Sequence, residues 1–450
     1  MSIQKVVFIL GAGASRSISS DIPVMADFFE KCLPYLEDPR AHPAVWLAFA
    51  VLEQCRCFPG PHRHLENAAA YAIAMHGHLL ELKSKARVAK DSPEYKRTEQ
   101  SWFEWVKLYR RLCEKEESRI HANLEVVFAE AERKLFESRK TSDGLDGQAY
   151  ICLVYAVQYL FSRLTQRFRD PKPHAQLAQL LSDWLNADFA RSATFISFNY
   201  DVWLERALQG AKIWHPYQGY QYEFERFTNL ESAGRAGQTL ETTTFRTIGV
   251  NDTLQTQPFT VNPPHKLRVL KPHGSLSWYV DDEESPNCVV LLEDTQDSLV
   301  TALDKWPLQG DFNYASQNTA PIYVPFIVPP TQLKRRQHRA FWQIDQRIFQ
   351  VLSEADVVVS IGWSMPETDR DFQQTITHAM QYCEGRRQLG RLIICNYNQN
   401  SEFYLHMESV FRPAKKTEIV DDGFATDSIK RVFDLLCEGD EEFEPVQPRE

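Results

Sequence analysis

Short apolar runs that end in glycine or polar residues are the clearest pattern along the chain. The first run extends from Val6 to Leu10 and leads into Gly11 and Gly13 within the sequence GAGAS. Runs this short and rich in Val, Ile and Phe are typical of strands buried on both faces of a parallel sheet. Comparable runs occupy residues 193–201, 266–275, 355–364 and 391–398. The pattern therefore predicts an α/β fold built on a parallel sheet.

Between the first two runs the apolar spacing becomes helical. Residues 119–138 place apolar side chains three or four positions apart, at Ile120, Leu124, Val127, Phe128, Ala131 and Leu135. This spacing is typical of amphipathic helices, and we predict a helical insertion over residues 42–190. Its apolar faces exceed what one side of a sheet would cover. They indicate either contacts with sister subunits or a partner protein, or a second core within the insertion.

The insertion divides one predicted sheet domain into residues 1–41 and residues 191–435. Residues 220–264 are rich in Thr, Gly, Asn and Gln and show few periodic apolar positions. That composition predicts long loops or a hairpin excursion. Residues 436–450 are acidic and contain prolines, which predicts a disordered tail.

Composition and charge narrow the possible functions. The chain has 450 residues and a net charge of -10, which argues against a dedicated, sequence-specific nucleic-acid binder. Its one strongly basic run, LKRRQHR at residues 333–339, is interpreted as a solvated helix start. The longest nearly apolar run, residues 149–161, is too short to span a bilayer. Nine scattered cysteines without a signal peptide ahead of them favour reduced thiols in a cytoplasmic protein.

Candidate chemistry lies where the predicted strands end. Gly11 and Gly13 permit close backbone approach, and the small residues Ala12 and Ser15 leave room for a phosphate against bare N–H groups. A tight turn without a ligand is the alternative. Because the carboxyl ends of parallel strands meet at one edge of a sheet, this turn is expected to lie beside the other strand ends.

Four further strand ends carry polar residues. Asn199 and Asp201 are two positions apart, so that an amide and a carboxylate face the same side, although helix capping is the alternative. His273 precedes Gly274 and is a candidate general base. Candidate ribose or phosphate contacts at the last two strand ends are Gly362, Ser364 and Asn396.

These motifs, taken in order, resemble the sirtuin superfamily and, within it, the bacterial sirtuin-like NADases of anti-phage defence. The motifs are GAGAS (11–15), DIP (21–23), SFNYD (197–201), KPHGSLSW (271–278), VPP (328–330) and IGWSMPETD (361–369). The resemblance implies a Rossmann-like sheet with helices on both faces. It further implies an NAD+ site that contains Gly11, Ala12, Gly13, Ser15, Asp21, Pro23, Gly362, Ser364 and Asn396, with catalytic residues His273, Asn199 and Asp201.

Two departures from the deacylating members favour hydrolysis over deacylation. Phe198 stands where those enzymes carry a glutamine, and the sequence contains no CxxC pair from which a zinc ribbon could form. Cys55, Cys57, His62 and His64 are the best alternative metal ligands, but prolines and a glycine interrupt them. We therefore predict a site without a metal.

The function implied by the resemblance is cleavage of the nicotinamide–ribose bond of NAD+, which gives nicotinamide and ADP-ribose. Asn199 would orient the water or the ribose, Asp201 would hold the carboxamide, and His273 would accept a proton. The implied biological setting is NAD+ depletion in anti-phage defence. Implied partners are further copies of the chain, a HerA-like ATPase or an Argonaute-like protein. A non-catalytic module that senses NAD+ or ADP-ribose is the alternative.

Overall fold

The computed structural model describes most of the chain. The described ranges are residues 5–32, 43–58, 63–84, 92–116, 121–141, 144–169, 171–220, 226–231, 240–248, 254–260, 266–281, 289–292, 323–328, 339–366, 369–381, 389–397, 400–411 and 414–438. The predicted features at His62, at residues 329–330 and 333–338, and at residues 439–450 lie outside these ranges.

Strands and helices are numbered here in chain order. The strands are β1 (Lys5–Leu10), β2 (Ser192–Ser197), β3 (Arg226–Glu231), β4 (Leu240–Ile248), β5 (Leu254–Thr260), β6 (Leu267–Leu270), β7 (Gly274–Asp281), β8 (Val289–Leu292), β9 (Tyr323–Ile327), β10 (Val357–Ile361), β11 (Arg391–Cys395) and β12 (Lys416–Val420). The helices are α1 (Ala12–Arg16), α2 (Phe28–Cys32), α3 (Pro43–Gln54), α4 (Arg63–Ser84), α5 (Pro93–Lys115), α6 (Leu124–Thr141), α7 (Gly144–Arg167), α8 (Lys172–Ala187), α9 (Trp203–Gly210), α10 (Pro216–Gly219), α11 (Arg339–Ser353), α12 (Arg370–Gln381), α13 (Ser401–Val410) and α14 (Thr426–Glu438).

A six-stranded parallel sheet forms the centre of the fold. Its strand order is β12-β11-β10-β1-β2-β6. Within it, β1 pairs on one side with β2, Val6 facing Ala193, and on the other side with β10, Val6 facing Val357. This is the strand order of a doubly wound, Rossmann-like sheet, so the predicted fold class is confirmed. The strand order reverses between β1 and β10, where ligands bind in such sheets.

The sheet is buried between two groups of helices. On one face α8 packs against α9 and α14, and a second group joins α11, α12 and α13. Because crossovers between parallel strands are right-handed, the two groups cover opposite faces. Inside the first face Phe8 stacks on Phe195 with 4.7 Å between the ring centroids, and Leu177 and Leu181 of α8 belong to the same buried cluster.

The helical insertion has a core of its own. Its buried side chains include Trp46, Leu124 and Phe128, and they join Leu276 and Tyr279 of β7 in one cluster. The apolar face that predicted a helix near residues 124–131 is therefore covered within the chain. Helix α8 lies inside the predicted insertion of residues 42–190 but packs against the sheet, so the insertion's own share of this core comes from elements before α8.

A second, mostly antiparallel sheet follows the first. Its order is β3-β4-β8-β7-β9, with β5 paired to β4. Residues 220–264 thus contain three antiparallel strands, which agrees with the hairpin form of the expectation. The predicted tail is wrong for residues 436–438, because α14 continues to Glu438 and Leu436 is buried.

The single predicted strand over residues 266–275 is divided between the two sheets. Strand β6 ends at Leu270, and β7 begins at Gly274, whose φ of 77° is in the left-handed region. A Cβ atom at Gly274 would lie 2.1 Å from the carbonyl oxygen of Phe326. The glycine therefore permits the sharp change of direction that leaves His273 at the junction of the sheets. Within the described ranges, no helix combines the length and apolar character that a membrane crossing requires.

Burial of His174 in α8 predicts a pH-dependent stability. Complete burial lowers the pKa of His174 to about 3, whereas an unfolded chain binds this proton near pH 6.5. The unfolded state therefore takes up the proton first, and stability is lost as the pH falls below about 6.5. The free energy of unfolding should decrease by about 2 kcal/mol between pH 8 and pH 5 through this group.

Urea titrations of the wild type and His174→Phe at several pH values measure this contribution. The ring packs edge-to-face on Phe424 at 4.9 Å, so phenylalanine preserves much of the contact. The variant should show a weaker dependence of unfolding free energy on pH. Parallel curves for the two proteins would contradict the assignment.

Candidate functional site

A cavity of about 1170 Å³ lies over the carboxyl ends of β1, β2, β10 and β11. Its volume exceeds the roughly 300–1,000 Å³ of most ligand pockets. The residues predicted from the sequence that line it are Gly11, Ala12, Gly13, Ser15, Pro23, Asn199, Asp201, His273, Gly362, Ser364 and Asn396. Asp21 lies near it but is not part of the lining, and its N–H donates to Ser19 Oγ at 3.1 Å.

The glycine turn after β1 packs directly against the turn after β10. The Gly11 N–H donates to Ile361 O at 3.0 Å, and the Gly13 N–H donates to Gly362 O at 2.9 Å. A Cβ atom at Gly11 would lie 2.5 Å from Trp363 Cα, and Gly362 has a φ of 61°. These glycines are therefore required for close backbone packing, and both amides have acceptors inside the protein. This differs from the expected bare N–H groups.

Asp201 connects this turn to the next strand end. Its Oδ2 accepts from Ser15 Oγ at 2.6 Å, and its Oδ1 accepts from the Trp203 N–H at 3.3 Å. The second bond reaches the start of α9, as the capping alternative expected, and the first crosses to the glycine turn. Burial raises the pKa of Asp201, while the nearby Lys271 and the Ser15 bond oppose that rise.

Asn199 holds the turn from the cavity side. Its Nδ2 donates to Gly11 O at 3.0 Å, and the residue is half-buried in the cavity wall. The side-chain oxygen of Asn199 is its acceptor, so it can accept a bond from a ligand hydroxyl or a water.

His273 forms a buried pair with Asp369. His273 Nε2 lies 3.3 Å from Asp369 Oδ1, and Asp369 Oδ2 accepts from Trp363 Nε1 at 3.1 Å. The imidazole also packs edge-to-face on Phe198, with 5.1 Å between ring centroids. Asp369 lines the cavity but was not predicted as a site residue, although it lies in the motif of residues 361–369. A carboxylate in this position stabilises an imidazolium and orients the ring.

Asn396 lines the cavity at the end of β11. Its Nδ2 donates to Trp363 O at 3.0 Å, and the residue is 2% exposed. Asn396 Oδ1 is buried without a hydrogen-bond partner among the described residues. A buried amide oxygen of this kind needs a donor, and a ligand in the cavity would supply one. Ser364 lies on the same side and is exposed.

The helical insertion contributes to the cavity wall as well. Asn123 and Glu125 line the cavity at the start of α6, where the Leu124 N–H donates to Met25 O at 2.9 Å. Glu125 is close enough to contribute, after burial, Tyr150 and Asp369, to the raised pKa of Tyr200. The insertion is therefore part of the site's enclosure.

The alternative metal ligands are not assembled in the described part of the chain. Cys55 and Cys57 are buried in the core of the insertion, and His64 Nε2 lies 3.1 Å from Glu116 Oε1. No group of three or more His, Cys, Asp or Glu residues within the described ranges could hold a metal ion.

No protein-family model matches the chain, and no curated protein matches it.

Proposed function

We propose that the protein hydrolyses the nicotinamide–ribose bond of NAD+, with nicotinamide, ADP-ribose and a proton as products. The observation that carries the proposal is the buried His273–Asp369 pair in the cavity that Asn199 and the glycine turn also line. This cavity lies at the reversal of strand order, where doubly wound sheets bind nucleotides. The order of the motifs, which resembles that of sirtuin-like NADases, supports the same substrate.

The chemistry requires little beyond positioning and proton transfer. Nicotinamide leaves from a cationic ring, so the protein has to stabilise an oxocarbenium-like centre and admit one water. In the proposed mechanism His273 accepts the proton from that water or from a ribose hydroxyl. Asp369 stabilises the resulting imidazolium at 3.3 Å, and Asn199 orients the hydroxyl or the water.

Asp201 has two roles in this proposal. It holds Ser15 at 2.6 Å and thereby fixes the turn beneath the substrate. A carboxylate has about four acceptor positions, so Asp201 can still accept a bond from the carboxamide N–H of nicotinamide.

An unrestrained NAD+ hydrolase would drain a cofactor that its host needs. We therefore propose that the protein is an NAD+-depleting effector of anti-phage defence, gated by assembly with further copies or with a partner such as a HerA-like ATPase or an Argonaute-like protein. The resemblance supports this setting. Because the insertion's apolar faces are covered in its own core, those faces no longer favour a partner surface.

Incubation of the full chain with NAD+, followed by chromatography, tests the proposal. Nicotinamide and ADP-ribose should appear in equal amounts, and Asn199→Ala should slow their release about 10²-fold without unfolding the protein, because one oriented contact is lost. The assay is run with dilute protein, with concentrated protein and with the protein encoded by the neighbouring gene. Binding of ADP-ribose without cleavage in all three would instead support the sensor alternative.

A further inference from the structure

We propose that the start of α8, together with Lys172, binds a phosphate group of the nucleotide. This inference rests on the proposed function only in taking a nucleotide as the ligand of the cavity. It concerns a wall of the cavity that the sequence motifs do not include.

Two of the expected phosphate donors in the glycine turn are already used inside the protein. The amides of Gly11 and Gly13 already donate to Ile361 O and Gly362 O. Besides His273, the cationic side chains among the described lining residues are Arg16 and Lys172. Arg16 donates through one nitrogen to Ile22 O at 2.6 Å and to Asp27 Oδ2 at 2.8 Å, so its charge is already balanced. Lys172 is therefore the stronger candidate for binding an anion.

Lys172 is the first residue of a helix that starts at the cavity. Helix α8 has 16 residues and follows Pro171, which forms no side-chain cap. Pro171, Lys172 and Pro173 all line the cavity. Pro171 and Pro173 have no N–H, so the donors at this helix start are the N–H groups of Lys172 and His174, which precede the first helical bond from the Ala175 N–H to Pro171 O. The helix dipole adds positive potential there. This combination is suited to a phosphate.

The same cavity has acceptors for sugar hydroxyls. Asn396 Oδ1 is buried and without a partner in the described ranges, and the exposed Asp422 also lines the cavity. The start of α14 is joined to α8, because Gln176 Nε2 donates to Thr426 O at 3.1 Å. A cavity that combines acceptors for hydroxyls with a cation and a helix start matches the hydroxyls and phosphates of a nucleotide.

Calorimetric titrations of the full chain with three probes test this inference. The probes are adenosine, ADP-ribose and 2′-phospho-ADP-ribose. Lys172→Gln should weaken ADP-ribose binding about tenfold, the loss of one charge-assisted contact of roughly 1.4 kcal/mol, and should leave adenosine affinity within about twofold. Lys212→Gln, an exposed lysine outside the cavity lining, is the matched control and should change neither affinity.

Comparison of ADP-ribose with 2′-phospho-ADP-ribose shows which phosphate group contacts Lys172. An equal loss for both indicates the pyrophosphate, and a loss confined to the 2′-phosphorylated ligand indicates the ribose 2′-phosphate. Unchanged affinity of Lys172→Gln for both ligands would overturn the inference, as would failure of the wild type to bind either. Wild type that binds ADP-ribose through Lys172 but never cleaves NAD+ would overturn the proposed function and leave the phosphate site standing.

Discussion

Replacing His273 with alanine should lower the rate of NAD+ cleavage about 10²- to 10⁴-fold, the usual contribution of one general base. His273 is 6% exposed, and its Nε2 lies 3.3 Å from Asp369 Oδ1. Because this position is buried, we do not expect a water molecule to act as the base in the variant. The measurement is kcat under the conditions in which the wild type is active. His406→Ala, an exposed histidine on α13, should retain full activity.

Asp369→Asn distinguishes a positioning role from a purely structural one. It preserves the size of the side chain and its contact with Trp363 Nε1 but removes the charge beside His273. The rate should fall by less than in His273→Ala, and the acidic limb of the pH–rate profile should change position, because a general base loses activity as it is protonated. A His273→Ala enzyme as fast as the wild type would exclude the proposed base, whatever Asp369→Asn does.

Replacing Lys271 with methionine should reduce the free energy of unfolding by about 3–5 kcal/mol, the effect of breaking a buried ion pair. Lys271 is fully buried, and its Nζ lies 2.7 Å from Glu205 Oε1 and 2.5 Å from Asp201 O. Without the ammonium, the Glu205 carboxylate stays buried with no counter-charge. Urea denaturation measures the loss.

The double variant Lys271→Met/Glu205→Leu is the control for this effect. Both charges are then absent, and most of the lost stability should return, because well-packed apolar residues can replace a buried pair. A single variant within about 1 kcal/mol of the wild type would show that the pair is not a structural requirement.

The strands of the central sheet were predicted best where burial is greatest. Strands β1, β10 and β11 are buried at most or all positions and coincide with apolar runs. Strand β12 was missed because it is an edge strand with the sequence KTEIV, in which apolar and polar residues are mixed. Strand β4 contains three consecutive threonines and was not predicted because threonine is polar. Threonine is nevertheless β-branched, and β-branched residues favour strands.

The sequence likewise predicted some of the site residues and missed others. Asn199 and His273 could be predicted because each lies at the end of a predicted strand. Asp369 could not, because its role depends on a contact with His273, far away in sequence. Lys271 lies in the same motif as His273, but no sequence pattern indicates that a lysine will be fully buried beside Glu205.

The central position of β1 has a consequence for how the protein is made. Its neighbour β10 is separated from it by about 350 residues, as in the bond from the Lys5 N–H to Asp356 at a separation of 351. Gly11 and Gly13 therefore meet Gly362 only after most of the polypeptide has been synthesised. Long-range pairing of this kind is slow to form. A nascent chain on the ribosome thus carries an incomplete cavity, so the proposed hydrolysis of NAD+ would begin only after most of the chain has been made.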